Sequence, residues 1–348
     1  MMASGTTPMK LVKAMPGAMV FYVIVITLIC SGNITLRAQP APVQQLQNSQ
    51  LAQQPPAFRS LYAATNAPEL YQGENVDVGP QHILRLIPRP LYFNVLLDSQ
   101  VFYSDNANFG PTADKIGSTV FVNTVQVAFT PPDLNFDNSK LSSSIGIASQ
   151  WYNYENDRMQ ADDFNAQTAF LGMKYAFGKW LLAFDFSYTR LVSQPNDYSL
   201  TYQEALPALT LQRFFPINDT ILVAVGNQID YHFSDEPSTF NSIQIHSTEI
   251  NNRFDDIISL TLTWQAAEKL IVQPAYRFMY SNYRYNTLQT SDRNDYLNYF
   301  GISVVYYFNK NFSLRTFFNY SVKNSDDSNA VDYHEYNGGL GASMNLAF

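Results

Sequence analysis

The sequence predicts an all-β chain, a transmembrane, antiparallel, up-and-down β-barrel of about 12 strands. Three observations point there. Apolar and polar residues alternate with period two from Leu91 to Phe348, tight turns alternate with longer polar loops, and aromatic residues gather at strand ends. Composition agrees. Hydrophobic residues make up 46% of the 348-residue chain, yet charged residues only 14%, against roughly 25% in soluble domains. A barrel with lipid outside and water inside needs apolar side chains at only half of its strand positions.

Taken in order, the strands are expected near 91–103, 118–130, 141–155, 164–177, 180–192, 199–214, 220–233, 253–265, 269–283, 295–308, 311–323 and 333–348. The last is the clearest. Leu340, Ala342, Met344, Leu346 and Phe348 fall on one face, with Gly339, Gly341, Ser343, Asn345 and Ala347 on the other. In 180–192, Trp180, Leu182, Phe184, Phe186 and Tyr188 oppose Ala183, Asp185, Ser187 and Thr189. A half-buried strand of a soluble sandwich alternates too, so the connections decide.

Tight connections occur at Gly178-Lys179, Pro216–Asp219, Ala266–Lys269 and Asn309-Lys310, and longer polar ones at 156–163, 234–252, 284–294 and 324–332. This asymmetry marks bacterial outer-membrane barrels, whose short turns face the periplasm. An even strand number then places both termini in the periplasm. Two connections fit less well: 131–140 is long for a turn and 193–198 short for an outer loop. Two aromatic girdles are expected at the membrane interfaces. Tyr103, Trp151, Tyr152, Tyr154, Tyr231, Tyr280, Tyr283 and Tyr285 would form the loop-end girdle, and Phe177, Trp180, Phe214, Phe215, Trp264, Phe308 and Phe312 the other.

The N-terminal region divides further. Residues 1–38 read as a secretory signal, with basic Lys10 and Lys13, an apolar run from Ala14 to Cys30 and cleavage after Ala38. The run is shorter than the roughly 20 apolar residues of a membrane helix and contains Pro16. Residues 39–58 are a Gln- and Pro-rich linker, too polar to bury a core. Residues 59–90 are either a periplasmic segment or a plug, and 91–348 the barrel. Cys30 is the only cysteine, so a chain cut after Ala38 forms no disulfide.

A net charge of −8 argues against nucleic acid, which calls for a basic patch. No hydrolase motif emerges. None of His82, His232, His246 and His334 stands in the local pattern of an outer-membrane lipase, and the neighbours Glu249 and Glu335 do not mark His246 or His334 as catalytic. His232, Asp235 and Glu236 come nearest to metal-ligand spacing. No catalytic residue, resident metal or cofactor is therefore expected.

What remains is the lumen. Alternation turns Asn94, Asp98, Gln126, Gln150, Lys174, Asp185, Gln212, Arg277 and Arg315 inward. A Lys or Arg on the lipid face at mid-membrane would cost about 2–4 kcal/mol, which supports that placement for the three basic residues. These side chains either brace the barrel or line a polar path, and Phe170, Phe317 and Tyr307 narrow it. Twelve strands enclose less room than aqueous porins of about 16–18. In the outer loops Asp157, Asp162, Asp163, Asp235, Glu236, Asp292, Asp295, Asp326, Asp327 and Asp332 form an acidic rim. It is either simply solvated or able to bind divalent cations, since carboxylate oxygens suit calcium.

The last strand also carries a resemblance. Leu340, Ala342, Met344, Leu346 and terminal Phe348 resemble the signal by which outer-membrane barrels are recognised for assembly. The stretch Leu70-Tyr71-Gln72-Gly73-Glu74-Asn75 through Asp77-Val78-Gly79-Pro80, followed by the barrel, resembles uncharacterised porin-like outer-membrane proteins. The resemblance implies outer-membrane lipid and the barrel-assembly machinery as partners. The functional expectation is a porin-like channel for passive passage of small or slender hydrophilic solutes. The alternative is a non-conducting structural or docking barrel that binds a periplasmic or surface partner. Uniformly greasy outer faces make a monomer the expected state.

Overall fold

The computed structural model describes residues 92–235, 251–284, 293–327 and 330–348. The expected signal, linker and 59–90 segment lie outside these residues, as do His82, Glu236, His246, Glu249, Tyr285 and Asp292.

Period-two alternation becomes a ring of 12 long strands. They are β1 (Phe93–Ser104), β2 (Ser118–Phe129), β4 (Ser139–Tyr154), β5 (Phe164–Phe177), β6 (Trp180–Ser193), β7 (Leu200–Pro216), β8 (Ile221–Asp235), β9 (Arg253–Ala267), β10 (Leu270–Tyr283), β11 (Arg293–Tyr307), β12 (Phe312–Ser325) and β13 (Tyr333–Ala347). The long 131–140 connection is resolved by one extra element. Short β3 (Leu134–Phe136) turns back on the end of β4, pairing Leu134 with Leu141. An ion pair between Lys140 and Asp133 at 2.6 Å closes this turn.

Each long strand pairs antiparallel with its sequence neighbours, and β1 pairs with both β2 and β13. That last pairing closes the ring and removes the free edges an open sheet would leave in lipid. Reciprocal backbone hydrogen bonds join Phe93 and Phe348 at the foot of the seam. Followed strand by strand, the pairing returns to β1 about 18 residues from where it began, a large stagger that tilts the strands by roughly 45° and widens the ring.

Burial follows the same parity. Outward side chains such as Phe121, Ile147, Leu211, Leu260, Phe300, Phe318 and Leu340 are exposed, and these outward positions form an apolar wall suited to hydrocarbon. Leu260 lies near the middle of β9 and is 47% exposed. We expect Leu260→Arg to destabilise the folded barrel in lipid vesicles by about 2–4 kcal/mol. An unchanged denaturant midpoint would place this face away from hydrocarbon.

The girdles need correction. Tyr103, Trp180, Phe177, Phe215, Trp264 and Phe308 are exposed, and Trp151, Tyr231 and Tyr280 share the outward parity. Tyr152, Tyr154, Tyr283 and Phe214 are instead buried inside. The reason is parity: Tyr152 and Tyr154 continue the inward series of Gln150, while Trp151, between Gln150 and Tyr152, faces out.

Candidate functional site

The interior differs from one end to the other. In the half nearer the tight turns, polar inward residues stand beside a small buried apolar cluster of Phe214, Leu222 and Ala224. Lys174 on β5 and Asp185 on β6 sit at inward positions and are nevertheless exposed. Asn94, Gln126, Gln212 and Arg315 share the inward parity and are half-buried. Asp98, Gln150 and Arg277 are buried.

Some of these groups meet. Arg315 Nη2 donates to Asp98 Oδ1 at 2.9 Å and to Gln100 Oε1 at 2.7 Å, and the Ser343 hydroxyl donates to Asp98. This bracket ties β1, β12 and β13 across the closing seam. Gln150 donates to Thr124 at 3.3 Å, and Asn94 to Thr130 at 3.4 Å. Residues of inward parity thus brace neighbouring strands. Phe317 meets Phe102, with ring centroids 6.0 Å apart.

Toward the loops the interior is packed. Phe102, Val120, Val122, Tyr152, Tyr154, Phe164, Ala166, Leu191 and Tyr202 form one buried cluster with Ala107 and Met159 of the adjoining loops. The loop after β1 reaches inside to do this. Its Phe109 adopts a positive φ of 50° and packs on Leu297 and Tyr333. Asn106 holds the bend by donating to Gly110 O at 2.9 Å and accepting from Gly110 N at 3.0 Å.

The other wall of the loop end is ionic. Glu204 on β7, Asp230 and His232 on β8, and Arg253 and Asp255 on β9 are all buried. His232 Nδ1 lies 2.6 Å from Glu204 Oε2, and Nε2 lies 2.9 Å from Asp255 Oδ2. Arg253 Nε donates to both oxygens of Asp255, at 3.1 and 3.0 Å. Tyr202 donates to Glu204 at 2.6 Å. Next to it, Asp295 accepts from Arg293 and lies 3.2 Å from Lys323 Nζ. Tyr283 is shared between the two groups: Arg253 stands 5.7 Å and Arg293 4.1 Å from its ring centroid.

Asp295, expected in the outer rim, therefore belongs to the interior. The sequence reading missed Glu204, Asp230, Arg253, Asp255, Arg293 and Lys323, and singled out only His232 and, as a rim residue, Asp295. One signal was available. Asp230–His232, Arg253–Asp255 and Arg293–Asp295 are oppositely charged or ionisable pairs two residues apart, hence on one face of a strand. His334 and Glu335, neighbours in sequence, face opposite ways. Glu335 is buried inside and accepts from Ser104 at 2.7 Å, while His334 lies outside near Tyr336.

Three carboxylates of the acidic rim, and Asp105 after β1, hold the barrel's own backbone. Asp163 accepts from Tyr154 N at 2.8 Å, Asp326 from Asn294 N at 2.7 Å, Asp332 from Ser325 N at 2.7 Å and Asp105 from Tyr336 N at 2.7 Å. These carboxylates satisfy amides where the ladders end. In the loop before β5, partial burial and the neighbouring Asp163 raise the carboxyl pKa of Asp162.

No protein-family profile and no curated protein matches the sequence. Solved structures do. An outer-membrane channel from Pseudomonas putida F1 aligns with a TM-score of 0.51 at 10% identity, over 78% of this chain and all of that one. The KdgM porin (TM-score 0.35, 11% identity, 72% of this chain and 98% of that one) and the NanC porin (0.39, 10%, 72% and 100%) also match. At these identities the likeness to the Pseudomonas channel carries the architecture alone: this chain has the fold of an outer-membrane β-barrel, a closed antiparallel ring of 12 strands.

Proposed function

We propose that the protein is a narrow, porin-like channel of the bacterial outer membrane that passes small or slender hydrophilic solutes without chemistry. In this reading the tight turns and both termini face the periplasm and the long loops face outward. The observation that carries it is the state of Lys174 and Asp185, inward-facing yet exposed. Charges so placed keep the turn-end half of the lumen wet. The matching Pseudomonas protein is an outer-membrane channel, which is consistent with this.

Packing at the loop end makes the passage narrow, with its constriction between the aromatic cluster and the ionic wall. Discrete, low single-channel conductance is the expected result for refolded protein in planar lipid bilayers. Asp185→Lys should shift the reversal potential toward anion selectivity in a salt gradient, because fixed charge in a confined polar lumen sets the local ion concentration. Folded protein that yields no channels would refute the reading. That outcome would favour a non-conducting structural or docking barrel, which the same packed loop end also supports.

A further inference from the structure

We propose that the loop-end cluster on β7, β8 and β9 binds one divalent transition-metal ion of the zinc class, with His232, Asp230 and Asp255 as ligands and Glu204 orienting the imidazole. The inference is independent of whether the barrel conducts.

The orientation of His232 comes first. Its Nδ1 lies 2.6 Å from Glu204 Oε2, which makes Nδ1 a donor to a carboxylate. A neutral ring in that tautomer presents its Nε2 lone pair to Asp255 Oδ2 at 2.9 Å and Asp230 Oδ1 at 3.2 Å. In that tautomer the lone pairs of Nε2, Asp255 Oδ2 and Asp230 Oδ1 face one another, and the Arg253 guanidinium, 3.1 Å from Nε2, is the cation that now addresses them. A carboxylate holding the far nitrogen is how metal-binding histidines are commonly positioned. The three ligand atoms lie within 4.8 Å of one another. Tetrahedral zinc ligands at about 2.0–2.2 Å from the ion stand roughly 3.3–3.5 Å apart, so each carboxylate oxygen needs to move away from Nε2 only by tenths of an ångström.

A second observation points the same way. Asp230 is buried, and its Oδ1 has no hydrogen-bond partner, whereas Oδ2 accepts from Gln228 at 2.7 Å. A buried carboxylate oxygen without a donor, aimed at a histidine nitrogen, is an orphan that a bound cation would satisfy. Charge agrees. Glu204, Asp230 and Asp255 face a single local guanidinium, Arg253, so a divalent ion beside a neutral imidazole brings this group to neutrality.

Arg253 is the competitor. Its Nη2 sits 3.1 Å from His232 Nε2 and must swing aside, while Nε can keep Asp255 Oδ1 and release Oδ2 to the ion. At the guanidinium tip the move gives up the Nη2 contact with His232 and none at Nη1, which has no hydrogen-bond partner. The backbone can also yield here. The β7–β8 pairing runs to Ala205↔Phe233 and resumes at Ala208↔Asp230. The gap falls at Leu206 and Pro207, and proline has no amide to donate to a ladder.

The test uses the full chain folded in detergent, stripped with chelator and titrated with zinc chloride or cobalt(II) chloride. We expect one ion per chain by elemental analysis, a visible cobalt absorption band of a nitrogen-containing site and a higher unfolding temperature with zinc. Asp230→Asn, which preserves side-chain shape, should weaken binding at least tenfold, and Glu204→Gln about 10–100-fold. His232→Gln should abolish the cobalt band, and Asp230→Asn decides the matter if that variant does not fold. Asp162→Asn, in the loop, should bind as the parent does. No stoichiometric binding by the folded parent would mean that a proton alone sits between His232 and Asp255. Equal binding by parent, Asp230→Asn and His232→Gln would place the ion elsewhere. Either result overturns the proposal.

Discussion

Gly339→Val is expected to abolish most barrel assembly, cutting the folded, heat-resistant fraction at least tenfold. Gly339 faces inward on β13, opposite Phe102 of β1 and Phe317 of β12. A Cβ there would lie 2.1 Å from Val101 O and 2.5 Å from Phe102 Cβ. Neither atom can retreat easily, because Val101 and Phe102 belong to the β1–β13 seam that closes the ring. Overpacking a core typically costs about 1–3 kcal/mol. Here the displaced atoms are backbone, so the cost should reach the top of that range or exceed it. Neighbouring glycines provide graded controls. At Gly338 the nearest atoms would be 3.2 and 3.4 Å away, and at Gly341 the nearest are side-chain atoms of Arg315. Gly338→Ala and Gly341→Ala should therefore assemble at near-parental yield in the same gel-shift assay. Equal yields for all three substitutions at Gly339, Gly338 and Gly341 would contradict the close approach at the seam.

Asp295→Asn should destabilise the folded barrel by about 3–5 kcal/mol, the usual consequence of removing one partner from a buried ion pair. Arg293 and Lys323 are both buried and both address this carboxylate. Neutralising it leaves two cations in a poorly solvated wall. The loss should resist added salt, since buried pairs are weakly screened. Asp133→Asn, which breaks the turn-end pair with Lys140, should cost less than about 1 kcal/mol because both partners are substantially exposed. Adding Lys323→Met to Asp295→Asn should recover part of the stability by removing one of the stranded charges. Urea unfolding in lipid vesicles reads all of these. A cost for Asp295→Asn as small as that for Asp133→Asn would show that the ionic wall is hydrated.

The barrel was legible in the sequence because a wall between lipid and water imposes its own period on every strand. That is why the inward parity of Asp98, Lys174, Asp185 and Arg315 could be read without coordinates. The errors came where position along a strand was used in place of parity. Tyr152, Tyr154, Tyr283 and Phe214 lie near strand ends, yet their parity turns them into the interior. The ionic wall was hidden for another reason. Glu204, His232 and Arg253 meet only through the register of β7, β8 and β9, and no local pattern specifies that register. The β3 hairpin was hidden likewise, since three residues are too few to show a period.

A channel through this barrel requires that inner and outer residues separate within each strand. Nitroxide labels placed one at a time along β6, in a Cys30→Ser background reconstituted in vesicles, measure that separation directly. Labels replacing Phe184 and Phe186 should collide freely with oxygen dissolved in lipid, and those replacing Asp185 and Ser187 with a water-soluble nickel chelate. Strict alternation between the two relaxing agents is the predicted result. The same accessibility at all four positions would contradict a ring with lipid on one side and water on the other.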